Sequence, residues 1–281
     1  MSQEDPAQAP VPTPTRIHDD VWGEGTKPVV AVIHLPPLPG SPGWRGSMRA
    51  VLDRALEETR ILENGGVDGL LVENFGDAPF HPDRVPPETV ASMAVVAGEI
   101  AGASSLPVGV NVLRNDAAAA LGVAVAAGAR FIRVNVHVGT MFTDQGILQG
   151  RAHETLRRRG ALNAPVAVLA DVLVKHGTPP PGLGIEEAVR DLWHRGLADG
   201  IIVTGRATGG ETDPGDVVRA VASLPEGGKV WVGSGATAET AGDLLARAHG
   251  VIVGSALREE GRAGAPVEEA RVLTFMDAVT R

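Results

Sequence analysis

The stretch FIRVNVHVG, residues 131–139, alternates apolar Ile132, Val134, Val136 and Val138 with Arg133, Asn135 and His137. A period of two belongs to a β-strand, so the three polar side chains share one face. A cation, an amide and an imidazole in one row can hold an anion, donate to a developing oxyanion and move a proton. Similar residues close other short apolar runs. PVVAVIHL ends near His34, GLLVENF at Glu73 and Asn74, and PVGVNVL at Asn111, with Arg114, Asn115 and Asp116 beyond it. PVAVLADV ends in Asp171, followed by Lys175 and His176, and GIIVTG ends at Thr204, with Thr208 after it. Glu73 shares its face with Leu71, Asn111 with Gly109, and Asp171 with Leu169 and Ala167, as expected of strands whose interior face turns polar only at one end.

These residues are equipment for general acid–base chemistry. Glu73 or Asp171 is the candidate base, His34 or His137 the acid, and Asn111 and Asn135 the donors to an oxyanion. Arg133 and Lys175 hold charge, with Asp144, Thr204 and Thr208 as further substrate contacts. A satisfied ion-pair network plugging a barrel mouth would use the same residues, because buried charges need partners. Lys27, Lys175 and Lys229 are the only lysines. Lys175 follows its strand rather than lying within it, which favours anion binding or acid–base work over a Schiff base, whose amine must be desolvated. The plain alternative is a solvated loop lysine. A divalent metal stays open, since His34, Glu73, His137 and Asp171 are able ligands, but no H-x-H or H-E-x-x-H spacing supports one. No metal site and no certain cofactor is therefore assigned.

Two further runs end differently. VGSGAT and VGSALREEG place small residues just past a strand, with Thr237 or Ala238 expected to begin the next helix. Glycines let a phosphate approach backbone N–H groups, and a helix N-terminus adds a favourable dipole. Gly233, Ser234, Gly235, Gly254 and Ser255 are thus the candidate phosphate loops; tight turns alone would explain them more plainly.

The elements that must carry these residues form a repeat. Eight apolar runs alternate with Ala- and Glu-rich stretches such as SMRAVLDRALEETRILENGG, the last two runs being KVWVGSG and GVIVGSA. The first, third and fifth runs enter through Pro (KPVVAV, LPVGV, APVAV), while the even-numbered ones follow a helix end whose equivalent glycines are Gly66, Gly128 and Gly196. Gly after a helix is the usual left-handed cap. A two-strand, two-helix unit used about four times predicts an α/β chain with a closed (β/α)8 TIM barrel, whose usual size is about 250 residues and whose active site lies at the strand C-termini. The competing open doubly wound sheet would carry G-x-G-x-x-G after its first strand, and HLPPLPGSP is not that. The expected division is a disordered Pro-rich tail over residues 1–25 and a single barrel domain over 26–281.

Composition narrows the function classes. The chain has 281 residues and a net charge of −9, which disfavours a nucleic-acid surface driven by overall charge. It has no Cys, which removes disulfides and thiolate catalysis, and no Tyr. No apolar run approaches the roughly 20 residues of a membrane span, and the N-terminal residues lack signal-peptide order, so a cytoplasmic protein is expected. The connection GTMFTDQGILQGRAHETLRRRG carries Asp144, Gln145 and Arg151. It reads either as a lid or binding loop, or as a segment whose Thr143 and Asp144 cap the following helix.

The segments HLPPLPGSP, VENFGDAPF, NVHVGTMFTDQGILQGRAHETLR, ADVLVKHG, VTGRATGGETD, VGSGAT and VIVGSALREEG together resemble the BtpA/SgcQ family, from about residue 28 to residue 280. The resemblance implies a ribulose-phosphate-binding barrel. It also implies either a role in photosystem I biogenesis or sugar metabolism. Two stretches depart from the pattern, the Pro-rich TPPPGLG loop after Lys175–His176 and the N-terminal tail, and both bear on substrate choice. The leading expectation is a homo-oligomeric enzyme that binds a phosphorylated small molecule, sugar-phosphate or phosphoribosyl-like, and acts as isomerase, lyase or glycosyl transferase. The alternatives are a non-enzymatic assembly or stability factor for photosystem I or another membrane complex, and a sensor of a phosphometabolite.

Overall fold

Runs rich in β-branched residues and buried on both faces form a parallel sheet only when helices cover the outside. The computed structural model, which describes residues 17–205 and 210–279, has that arrangement. Its barrel strands are β1 (Val29–His34), β2 (Gly69–Glu73), β3 (Val108–Asn111), β4 (Phe131–Val134), β5 (Ala167–Val172), β6 (Gly200–Val203), β7 (Val230–Val232) and β8 (Val251–Val253). Each pairs in parallel with the next, and Val251 of β8 returns to Val29 of β1, closing the barrel.

Alternation sorts the strand residues into two cores. Ala31, Ile33, Val72, Val110, Ile132 and Val168 point outward to the helices. Val30, Val32, Leu71, Phe131, Leu169, Ile202, Trp231 and Ile252 fill the interior. Bulk there is complemented by absence: a Cβ on Gly109 would lie 2.2 Å from the Phe131 ring. One step further along the same faces lie His34, Glu73, Asn111, Arg133, Asp171, Thr204, Gly233 and Gly254. Arg133, the polar residue within β4, therefore points into the barrel.

Several details differ from the sequence expectation. β4 stops at Val134, because the Asn115 side chain takes over the pairing. Its Nδ2 donates to Val136 O at 2.9 Å, and its Oδ1 accepts from Val136 N at 2.8 Å. GTMFTDQGILQ folds as a hairpin, Thr140–Thr143 with Gly146–Gln149, and its first strand also pairs with Gly177–Thr178. Thr143 and Asp144 are therefore hairpin residues, and the helix Ala152–Ala161 begins after them with no side-chain cap. Gly66 and Gly128 take the left-handed conformation (φ +86° and +71°), but Gly196 does not (φ −79°). There the helix closes through a π turn, Asp191–Arg195, and Leu197 takes the positive φ instead. The helix after β7 is Ala241–Arg247, because Thr237 N is bonded to Thr240 Oγ1 in a preceding turn.

Part of the stretch assigned to a tail is structured: His18–Trp22 forms a short helix beneath the barrel. His18 Nε2 accepts from Trp231 Nε1 at 3.2 Å, and the Trp22 ring lies 4.9 Å from Phe131 and 4.8 Å from Trp231. This closes the N-terminal end, and residues 1–16 lie outside the described part. Among the described residues no helix is long and apolar enough to cross a membrane. Trp22 is half-buried, so Trp22→Ala should cost about 2–3 kcal/mol, below or at the lower end for a fully buried aromatic. Urea unfolding measures it; an unchanged midpoint would mean the helix does not support the barrel.

Candidate functional site

The C-terminal ends of the strands assemble two linked polar networks. In the first, Arg133 Nε and Nη2 form a two-pronged pair with Asp171 Oδ1 and Oδ2 at 3.0 and 3.1 Å, and both side chains are buried. Asn135 Nδ2 donates to Asp171 Oδ2 at 2.7 Å. Arg114, which follows β3, reaches Asn135 Oδ1 at 3.5 Å and Lys175 O at 2.6 Å. Lys175 N donates to Thr204 Oγ1 at 3.2 Å, tying the loop after β5 to the end of β6.

In the second network, Asn111 Nδ2 donates to Glu73 Oε2 at 2.7 Å, and Glu73 Oε1 faces His34 Nε2 at 4.0 Å. The backbone N–H of Gly264 donates to His34 Nδ1 at 3.1 Å, so the neutral ring carries its proton on Nε2, toward Glu73. The ring stacks on Phe75 at 4.3 Å. Burial holds the His34 pKa well below the ordinary imidazole value, and the charges of Arg258, Lys175, Arg54 and Arg133 push the same way. Lys175 is also lowered, first by burial and then by Arg133, while Glu73 and Asp171 act against the shift.

A third cluster supports the second. Arg258 is fully buried; its Nη1 and Nη2 each meet a Glu58 oxygen at 3.1 Å, and Nη2 donates to Val32 O at 2.6 Å. Arg54 Nε reaches Glu58 Oε1 at 2.9 Å and its Nη2 holds Gly264 O at 2.7 Å, on the other side of the residue whose N–H orients His34. Sequence reading missed this cluster. Its signal was present, because Glu58 falls on the buried stripe Val51, Ala55, Thr59 and Leu62, where a carboxylate demands a partner.

The structure brings together His34, Glu73, Asn111, Arg133, Asn135, Asp171, Lys175 and Thr204. It does not bring His137 to them. Beyond the end of β4 the chain turns, and His137 is buried beside the helical layer with Nε2 donating to Gly196 O at 2.9 Å. Asp144 sits exposed at the hairpin turn, held by Gln145 Nε2 at 2.6 Å. Thr208 lies outside the described residues. Gly233 and Gly254 make room for neighbours: a Cβ would lie 3.3 Å from Arg133 Nη2 and 3.2 Å from His34 Cε1, respectively. Ser234 is buried, its Oγ accepting from Gly205 N at 2.8 Å. Gly235 (φ +73°) and Ser255 line an open groove of about 600 Å³ together with Thr237, Ala256 and Arg271. Among the described residues no three His, Asp or Glu side chains converge to hold a metal ion; Arg133 already occupies Asp171.

Two outcomes follow from these burials. Arg133→Met strands the Asp171 carboxylate, and should cost about 3–5 kcal/mol in urea unfolding, whereas a double change with Asp171→Leu should recover most of it; equal losses would mean the pair is not coupled. Burial holds His137 down to about 4 from 6.5, so the unfolded chain binds this proton first. Stability is then lost as pH falls from 6.5 toward 4, and His137→Asn should flatten that part of the melting-temperature profile.

The comparisons agree with this architecture. Phosphoribosylanthranilate isomerase from Pyrococcus furiosus superposes with a TM-score of 0.54 at 16% identity, covering 90% of this chain and 98% of that one. Orotidine 5′-phosphate decarboxylase from Pyrococcus horikoshii gives 0.53 at 17%, covering 89% and 98%. At such identities the likeness is one of fold. The photosystem I biogenesis protein BtpA of Synechocystis is 47% identical over 252 residues, 90% of this chain and 88% of that protein. The model of the BtpA family matches residues 25–281, and the chain belongs to that family.

Proposed function

We propose that the barrel binds a phosphorylated small molecule over its C-terminal mouth and performs acid–base chemistry on it, as an isomerase or lyase. The observation that carries this reading is the Glu73–His34 pair. Glu73 is aimed by Asn111, and His34 is a neutral donor whose tautomer is set by Gly264. An atom about 2.8 Å from both groups can sit beside the line joining them, the reach that proton transfer needs. Glu73 is the base; Asp171, engaged by Arg133 and Asn135, is a charge partner. Arg133, Arg114 and Lys175 outnumber Glu73 and Asp171, which suits an anion. The phosphate goes to the Gly233–Gly235 and Gly254–Ser255 loops, a reading supported by the open groove beside Gly235 and Ser255.

A second reading rests on the Synechocystis relative's name: a role in assembling a photosystem I complex. Phe142 and Ile147, paired across the hairpin and 47% and 60% exposed, would then meet the partner.

A thermal-shift screen of sugar phosphates and phosphoribosyl compounds separates the two. Ligand at about 100 times its Kd adds roughly 2.7 kcal/mol. Ser255→Asp should abolish the shift by repelling the phosphate, while Glu73→Gln should keep binding and lose turnover. A panel without a single shift would overturn the metabolite reading and leave the partner reading standing.

A further inference from the structure

One face of the barrel wall is left over by the chemistry of the mouth. The helix after β2, Pro87–Ala103, lies beside the helix after β3, Ala117–Ala127, with Gly98 of the first set against Ala127 of the second. Inward, Met93, Val96, Leu121 and Val123 join the core. Outward, the pair stays apolar: Val95 is 55% exposed and Val125 43%, with Ala91 and Ala126 exposed beside them. AAAALGVAVAA, the whole of the second helix, has no polar side chain, whereas the neighbouring helix Met48–Asn64 exposes Arg49, Asp53, Glu57 and Arg60. A helix on a barrel wall needs an apolar stripe only toward the sheet, and one that is apolar all round belongs in an interior.

The glycines agree. A Cβ on Gly98 would come no closer than 4.0 Å to the rest of the chain, one on Gly122 no closer than 3.8 Å, and one on Gly102 would meet nothing within 4 Å. Nothing inside this chain therefore requires glycine at these helical positions, where it is a poor helix former. A backbone approaching from outside does.

The two edges of the face carry opposite charge. Because Gly98 faces the second helix, Glu99, about 100° further round, stands on the far edge, and Glu88 lies about three turns above it on the same side. At the other edge the helix Ala152–Ala161 contributes Arg157 and Arg158, and the Arg158 Nη2 lies 3.8 Å from where a Cβ on Gly122 would be. All four side chains are exposed, and none has a charged partner among the described residues. Glu57 and Glu154 nearby are already matched by Arg60 and Arg151.

We propose that this face binds the same face of a second copy of the chain, as a twofold homodimer whose dyad runs along the seam between the two helices. Such an axis exchanges the edges. Glu88 and Glu99 of each copy then meet Arg157 and Arg158 of the other, and each Pro87–Ala103 helix rests on the other copy's Ala117–Ala127. An axis across the seam would set acid on acid. Both helices run away from the mouth, so one turn above the Gly98–Ala127 contact Val95 and Val125 stand at nearly the same height. The dyad brings Val95 of one copy onto Val125 of the other. Helices of 17 and 11 residues, at about 1.5 Å per residue and about 10 Å apart, present roughly 500 Å² per copy, or about 1,000 Å² in all. That is the lower end for a specific interface and fits a reversible dimer. An anionic lipid surface would call for cations around the face, and it has them on one edge only. The interface leaves both mouths free, so it is independent of the function proposed for them.

Sedimentation velocity on the full chain from about 1 to 200 µM, the range over which so small an interface dissociates, should show a monomer–dimer equilibrium. Val95→Glu, at a position already exposed, should keep the melting temperature of the dilute monomer and raise the dimer dissociation constant by about tenfold or more. Ala91→Arg, on the same face, serves where that variant fails to fold. Charge reversal gives the sharper readout. Glu88→Arg/Glu99→Arg and Arg157→Glu/Arg158→Glu should each dissociate alone, because like charges then meet, and should pair when mixed, as a heterodimer seen by native mass spectrometry. A chain that stays monomeric up to the highest concentration overturns the proposal, and flotation of that monomer with phosphatidylglycerol vesicles would assign the face to a membrane instead. A dimer unaffected by Val95→Glu and Ala91→Arg overturns it as well, as do two reversed chains that fail to pair on mixing.

Discussion

A guanidinium inside a closed barrel is the constraint on which the rest of the mouth depends. Arg133 lies one step above Phe131 on an interior face, where water cannot solvate it, so the neighbouring strand must supply a carboxylate within reach, two residues beyond its register partner Leu169. Asp171 does so with two oxygens, and the spare capacity of one of them draws in Asn135. Asn135 then accepts from Arg114, and Arg114 holds the loop that carries Lys175. One buried charge thus dictates residues on two strands and two loops. Glycine at position 233 answers to the barrel core first, because a Cβ there would lie 2.3 Å from Ile202 Cγ2, and 3.3 Å from the guanidinium.

The opposite side of the mouth follows a different rule. Glu73 is not paired with a cation at hydrogen-bond distance; one oxygen is held by Asn111 and the other looks at a neutral imidazole. One Glu73 oxygen is thus turned to the His34 ring, whereas both Asp171 oxygens are taken up by Arg133 and Asn135. The two acidic residues that sequence leaves interchangeable are therefore distinguished by what touches them.

The barrel was legible because its signals are local and repeated: Pro or Gly before each apolar run, alternation within it, and polar residues at its end. The polar ring followed from counting in twos from the core residues. What was not legible depended on where strands stop. His137 keeps the alternation of β4 on paper, but Asn115 replaces the neighbouring strand's backbone beyond Val134, and the chain leaves the barrel wall. The π turn at Asp191–Arg195 shifted the expected glycine cap by one residue in the same way. Arg258 was hidden by sequence distance: Glu58 on its buried stripe asks for a partner, but nothing local says that it comes from 200 residues away, in the loop after the last strand.

The bond from Gly264 to His34 spans 230 residues. On a ribosome the imidazole is made near the beginning of synthesis, yet the peptide that decides which of its nitrogens carries the proton emerges almost at the end. A partial barrel released early would hold the strand, the ring and the facing carboxylate, but with the proton free to occupy either nitrogen. Completion of the chain, rather than formation of the first strands, is the event that gives this histidine its chemical identity.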